Sequence, residues 1–240
     1  MLRVGLTGSL GSGKTTVAAI FREHGFHILE ADAIARAMMQ PGHEVFRRIA
    51  EAFGPTVVRP DGLLDRARLA TLAFSEGRLN DLNRIVHPPV IAEQERLANE
   101  IFARDPDAVV VVESALIFEA EAWGTVPNST PTSRSGSPGT PTSWRQRFDR
   151  VVLVVAPEEL EIQRFLARVL PANATSEERA AAERDARSRL AAQLPDSAKI
   201  PEGDYVIDNS GSLEATRAQA ERIVAELKAF CGRPSPQPKS

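Results

Sequence analysis

Apolar residues fall into two patterns along this chain. Short apolar runs at residues 2–6, 26–29, 108–112, 151–155 and 205–207 have the length of buried strands, and those at 108–112 and 151–155 are continuous and rich in β-branched valine. Between them, apolar positions recur at helical spacing, which predicts helices over 14–24, 33–39, 157–170, 176–194 and 213–230. Gly25 supplies a stop for the first helix, and Pro41-Gly42 breaks the second. Strands alternating with helices in this way predict a parallel sheet with crossover helices. The unbroken valine runs at 108–112 and 151–155 predict strands covered on both faces.

One long stretch carries helical spacing without strong strands. From 44 to 104, Val45, Phe46, Ile49, Ala50 and Phe53 give one apolar face. Leu69, Leu72, Ala73 and Phe74 give a second, and Ile91, Leu97, Ile101 and Phe102 a third. His87-Pro88-Pro89 is expected to open the last of these helices, since proline suits the first helical turn. About 60 helical residues exceed what a crossover needs and predict a helical subdomain. The stretch 124–143 is Ser, Thr, Pro and Gly almost throughout. Its apolar content does not offset its ordering entropy, so a disordered insertion is expected, with a binding or modification segment as the alternative. The resulting division is one domain over 1–240. It comprises core at 1–43, 106–123, 146–157 and 196–231, a helical subdomain at 44–105, the insertion at 124–145, a helical lid at 158–195 and a disordered tail at 232–240.

Composition adds mainly exclusions. The 240 residues are 42% hydrophobic and 25% charged, ordinary values for a globular chain. A net charge of −3 gives no basic surface demanding a nucleic acid. A single cysteine, Cys231, excludes an internal disulfide framework; a reducing compartment and a packing role on the last helix are expected. No signal peptide is visible, and the strongest apolar run is far short of the ~20 residues of a membrane helix. A cytoplasmic protein without membrane partner is expected, as a monomer or weak homo-oligomer.

The chemistry begins after the first strand. Gly8-Ser9-Leu10-Gly11-Ser12-Gly13-Lys14-Thr15 fits G-x-x-x-x-G-K-[ST], a phosphate-binding P-loop between strand and helix. Its glycines let successive N–H groups converge on a phosphate, and the following helix N-terminus adds positive potential. Lys14 reaches the outer phosphates of a nucleotide, and the Thr15 hydroxyl is a ligand for Mg²⁺. Gly8, Gly11, Ser12, Gly13, Lys14, Thr15 and Thr16 are therefore the nucleotide-binding candidates.

In an open parallel sheet, ligands bind beyond the carboxyl ends of the strands. Asp32 follows the second strand, Glu113 the third and Asn209 the fifth. Asp32 is either the general base for a hydroxyl acceptor or the N-cap of the helix it precedes; the residues alone divide these evenly. Glu113 either acts on Mg²⁺ through water or closes its strand. His87 either touches an anionic substrate or is structural. Arg164 and Arg168, four apart, share a helix face where a kinase lid belongs, and their guanidinium forks suit phosphate oxygens. Arg179, Arg184, Arg187 and Arg189 face enough Glu and Asp to be a solvated surface.

Taken together, these segments resemble the dephospho-CoA kinase family. The P-loop alone is widely shared. More specific are Glu30-Ala31-Asp32-Ala33-Ile34-Ala35-Arg36, similar to the family's D-A-D-x-I-A-R, and Leu64-Asp65-Arg66, similar to its L-D-R. Ile85-Val86-His87-Pro88 resembles I-x-H-P, and Leu116-Ile117-Phe118-Glu119 resembles L-L-F-E. Gln163-Arg164 with Arg168, Arg189 with Gln193, and Tyr205-Val206-Ile207-Asp208-Asn209-Ser210-Gly211 resemble its lid and last strand. The resemblance implies an α/β P-loop kinase core with a five-stranded parallel sheet flanked by helices, a helical substrate-binding subdomain and a helical lid. It implies ATP as donor, Mg²⁺, and dephospho-CoA as acceptor. It favours Asp32 as base, with Lys14, Arg164 and Arg168 also catalytic, Asn209 on the nucleotide, and Asp32, Arg66, His87 and Glu113 on the substrate side. Glu30 stands where the family has its first aspartate, and Glu113-Ser114-Ala115 where it usually has D-x-P.

Other nucleotide-binding classes leave signatures of their own. No asparagine is followed by lysine, as a guanine-reading N-K-x-D requires, and L-S-G-G-Q is absent. Another small-molecule P-loop kinase, of a nucleoside or nucleotide, is the alternative reading.

Overall fold

The computed structural model describes residues 1–122 and 143–231. The insertion expected at 124–143 lies outside the described residues except for Ser143, as do the tail at 232–240 and the side chain of Cys231. The strands are β1 (Leu2–Gly8), β2 (His27–Glu30), β3 (Val109–Glu113), β4 (Arg150–Val155) and β5 (Tyr205–Asp208). The helices are α1 (Lys14–Glu23), α2 (Ala31–Met38), α3 (Glu44–Phe53), α4 (Arg66–Ala70), α5 (Leu79–Arg104), α6 (Glu119–Ala122), α7 (Trp144–Arg147), α8 (Glu158–Val169), α9 (Ser176–Ala191), α10 (Asp196–Lys199) and α11 (Leu213–Cys231). Among the described residues no helix is long and apolar enough to cross a membrane.

Two compact units divide the chain. The first comprises residues 1–29, 98–116 and 148–240; the second comprises 30–97 and 117–147. The strands form one sheet in the order β2-β3-β1-β4-β5, with β1 parallel to both β3 and β4, and β4 parallel to β5. This is the expected α/β sheet with crossover helices. Both faces of β3 are covered, as its valine run predicts. Val109 and Val111 pack with Val4, Phe21 and Leu227, while Val110 packs with Ala98 and Phe102. The register pairs Leu6 with Glu113 and Gly8 with Val154, so the carboxyl ends of β3, β1 and β4 meet where β1 enters the P-loop.

The second unit has its own core. Val45, Ile49 and Phe53 of α3 join Leu69, Leu72, Ile85, Val86 and Val90, and Ile34, Ala35 and Met38 of α2 pack against them. The core holds the first expected face at Val45, Phe46, Ile49 and Phe53 and, of the second, Leu69 and Leu72; of the third, Phe102 and Ile101 pack instead with Ala98, Ala108 and Val110 in the first unit. Two local expectations are corrected. Pro88 and Pro89 do not open a helix; they lie inside α5, which runs unbroken from Leu79 to Arg104. Each proline removes one helical hydrogen bond. Burial of Ile85, Val86, Val90 and Ile91 on both sides of the pair holds the helix through that gap. The second correction concerns Asp32. The N-cap of α2 is Glu30, which makes no side-chain cap bond, and Asp32 lies within the first turn.

Candidate active site

The P-loop takes its shape from two close approaches. Gly11 (φ 78°) lies against the backbone carbonyl of Glu161, and Gly13 (φ 99°) lies against the Asn209 side chain. A Cβ at either position would overlap those atoms, and both φ values are in the left-handed region that favours glycine. Lys14 then opens α1 with Gly13 as its left-handed N-cap. A helix start in that position supplies N–H donors and positive potential for an anion.

The same unit gathers the other nucleotide candidates around one cavity. Its volume is about 390 Å³, and Gly11, Gly13, Lys14, Thr15, Thr16, Arg164, Arg168 and Asn209 all line it. Lys14 Nζ donates to the carbonyls of Gly8 and Ser9, both at 3.0 Å. Arg164 Nη2 donates to the Asn209 carbonyl at 2.8 Å, while its Nη1 is buried with no hydrogen-bond partner among the described residues. A buried guanidinium nitrogen without an acceptor is costly, and an anionic oxygen is the kind of acceptor that would satisfy it. Arg168 lies over the Phe165 ring, 5.7 Å from its centroid.

Asn209 does different work. Its Nδ2 donates to the Ser12 carbonyl at 2.7 Å and its Oδ1 accepts from Thr216 Oγ1 at 2.7 Å. These two bonds use one amide N–H and one lone pair of its oxygen to clamp the loop, and the residue also lines the cavity. Ser12 is fully buried, and its Oγ has no hydrogen-bond partner among the described residues. Thr15 Oγ1 donates to Glu113 Oε1 at 3.0 Å. One hydroxyl and one carboxylate beside a phosphate cradle are hard oxygen donors, the ligand type that Mg²⁺ takes together with nucleotide oxygens.

The remaining candidates belong to the second unit. Along α2, Ala31, Ile34, Ala35 and Met38 turn to the core, which leaves Asp32 and Arg36 exposed on the opposite side. Asp65 caps α4 by accepting from Arg68 N at 2.9 Å, and this sets the exposed Arg66 at the first helical position. His87 is half-buried within α5. Burial, with the nearby Arg147 charge adding to it, lowers its pKa to about 4. Arg147 itself is buried; Nη2 donates to Gln94 Oε1 at 2.7 Å, and Nε lies 3.9 Å from Glu95. A neutral imidazole offers hydrogen bonds but no charge.

The His87 environment carries a measurable consequence. An exposed histidine takes up its proton near pH ~6.5. The unfolded chain therefore binds a proton at this position that the folded chain refuses down to about pH 4. Stability contributed by neutral His87 is present above that window and is lost as pH falls through it. His87→Gln should remove about 1–3 kcal/mol of this acid destabilisation. Thermal unfolding of parent and variant at pH 7 and pH 4.5 checks it: the difference between their midpoints must change with pH, and a constant difference contradicts the buried-neutral assignment.

Reading the sequence by motif missed a third set of residues in the first unit. Glu161, Asp196 and Lys199 lie against the loop at Gly11 and Ser9; Glu161 and Lys199 are buried and Asp196 is partly buried. Nothing in a short Asp196-Ser197-Ala198-Lys199 run distinguishes it from a solvated turn, so only the packing reveals it.

Comparison with known proteins gives a consistent answer. A family model described as dephospho-CoA kinase matches residues 2–129. A dephospho-CoA kinase from Corynebacterium glutamicum is 37% identical over 229 residues, spanning 95% of this chain and 98% of that protein. One from Syntrophotalea carbinolica is 38% identical over 237 residues, spanning 98% and 97%. The crystal structure of TT1252 from Thermus thermophilus matches with a TM-score of 0.65 at 31% identity, covering 94% of this chain and 97% of that one. Agreement that extends past the widely shared P-loop to nearly the whole length of both partners decides the placement: the chain belongs to the dephospho-CoA kinase family.

Proposed function

We propose that this protein transfers the γ-phosphoryl group of ATP to the ribose 3′-hydroxyl of dephospho-CoA, giving coenzyme A and ADP, the last step of coenzyme A synthesis. The observation that carries the donor half is the single cavity bordered by the P-loop, Lys14, Thr15, Arg164 and Arg168. Family membership supports the acceptor.

Phosphoryl transfer needs little covalent help from a protein, so positioning and charge stabilisation do most of the work. The loop amides and Lys14 hold the phosphates. Arg164, already fixed through Nη2, presents Nη1 to the charge that spreads over the transferring group. Thr15 and Glu113 would hold Mg²⁺, which when bound offsets negative charge on the phosphate oxygens. Asp32 accepts the proton of the attacking hydroxyl, with Arg66 and neutral His87 on the acceptor.

A coupled assay of ADP release with dephospho-CoA and adenosine side by side tests this. Turnover with dephospho-CoA and none with adenosine is expected. Turnover stimulated by adenosine but not by dephospho-CoA would identify a nucleoside kinase instead.

A further inference from the structure

We infer that Gln193, Asp196 and Lys199 are positioning residues for ATP binding: they fasten the front of the P-loop to the α8–α10 segment and thereby fix the carbonyls against which Lys14 rests. The inference builds on the P-loop cavity as the ATP site.

Separate contacts converge on three consecutive loop residues. At Ser9, the side-chain hydroxyl donates to Asp196 Oδ1 at 2.8 Å and accepts from Lys199 Nζ at 3.2 Å. At Leu10, the backbone N–H donates to Gln193 Oε1 at 3.1 Å. The Leu10 side chain packs into the apolar cluster of Ile162, Phe165 and Ala186, which belongs to α8 and α9. At Gly11, the Cα lies against the Glu161 carbonyl of α8. A P-loop is ordinarily shaped by its own glycines. Here its first half is also held from outside, by side chains from one continuous segment that carries Arg164 and Arg168 as well.

The link to chemistry runs through Ser9. Its hydroxyl is held by Asp196 and Lys199, and its carbonyl accepts from Lys14 Nζ at 3.0 Å. Displacing Ser9 displaces the acceptor that orients the lysine. Hydrogen bonds inside a buried network are directional, and losing one leaves its partners unsatisfied. The arrangement therefore transmits the placement of α10 to the phosphate-binding lysine.

Glu161 completes the charge balance around this network. It is buried, and its Oε1 has no hydrogen-bond partner among the described residues. Burial first, then the charge of Asp196, raises its pKa to about 8, against the opposing pull of Lys14 and Lys199; Glu158 of the same helix pushes it further up. Arg187 of α9 borders the cavity that Glu161 and Asp196 share. At neutral pH the network thus holds a protonated Glu161 beside Asp196. Above about pH 8 a second carboxylate charge enters it.

Equilibrium binding of ATP with Mg²⁺, followed by titration calorimetry, tests the inference on the full chain. Lys199→Met and Gln193→Ala should each weaken ATP binding about 5- to 10-fold, and Ser9→Ala about 3-fold. The KM for dephospho-CoA should remain at the parent value. Lys199→Arg should recover part of the loss. Because the proposed route passes through Ser9, Ser9→Ala combined with Lys199→Met should weaken binding less than the product of the single effects. Parent ATP affinity should fall above about pH 8, and Glu161→Gln should abolish that fall. If Lys199→Met does not fold, Ser9→Ala and Gln193→Ala, which remove less buried structure, decide the matter alone. Folded variants that bind ATP within 2-fold of the parent, whatever their thermal midpoints, overturn the positioning role. A parent chain that fails to bind ATP overturns the functional reading and this inference with it.

Discussion

Replacing Asp32 with asparagine is expected to lower kcat by about 10²–10⁴-fold while leaving the dissociation constant for ATP close to that of the parent. The expectation follows from what Asp32 does and does not do in the fold. It is exposed in the first turn of α2, and Glu30 takes the cap position. The helix is held by Ala31, Ile34, Ala35 and Met38, none of which the substitution touches. Losing one acidic charge from a first turn costs about 0.3–1 kcal/mol, so the variant should fold. Asparagine keeps the size of the side chain and its hydrogen-bonding reach but does not take a proton from a hydroxyl. Steady-state kinetics with saturating dephospho-CoA, together with direct ATP binding, make the measurement. Turnover equal to that of the parent would refute the base assignment. A parallel loss of ATP affinity would point to a role in the donor half instead.

The case of Asp32 also shows what a sequence holds and what it omits. A carboxylate one residue into a helix and a carboxylate capping it look alike along the chain, since both sit between a strand and a helical run. Only the backbone at Glu30 and Ala31 separates them. Strand runs such as Val109–Glu113 were legible because unbroken β-branched residues bury on both faces in few other ways. The P-loop was legible because its glycines meet specific steric demands at Gly11 and Gly13. Pro88-Pro89 misled because local propensity marked a helix start, and burial of the flanking Ile85, Val86, Val90 and Ile91 outweighed it. Topology places Asn209 at the site, and it lines the cavity; its further role as a clamp rests on Ser12, 197 residues away in sequence, and on Thr216, seven residues on. The contacts of Asp196 and Lys199 with Ser9 join positions 187 and 190 residues apart, and no local pattern encodes them.

Replacing Lys14 with alanine should have the second large effect, and its kinetic form should differ from that of Asp32→Asn. Lys14 Nζ makes two hydrogen bonds to loop carbonyls, Gly8 and Ser9, each at 3.0 Å. The side chain therefore shapes the loop as well as supplying charge, and alanine removes both contributions. Phosphoryl transfer should fall about 10²–10³-fold, the usual scale for loss of one preorganised group that stabilises transition-state charge. The KM for ATP should rise in the same variant, because part of what Lys14 provides is present before transfer begins. Asp32→Asn should show the loss in kcat alone. Lys14→Arg should recover little, since a planar guanidinium fork does not reproduce a compact ammonium that bonds two adjacent carbonyls. Arg164 and Arg168 border the same cavity and remain in the variant, so some ATP binding should persist. A Lys14→Ala protein with parent-like KM for ATP and a loss confined to kcat would show that the lysine acts only at the transition state, and that its bonds to Gly8 and Ser9 do not shape the bound nucleotide.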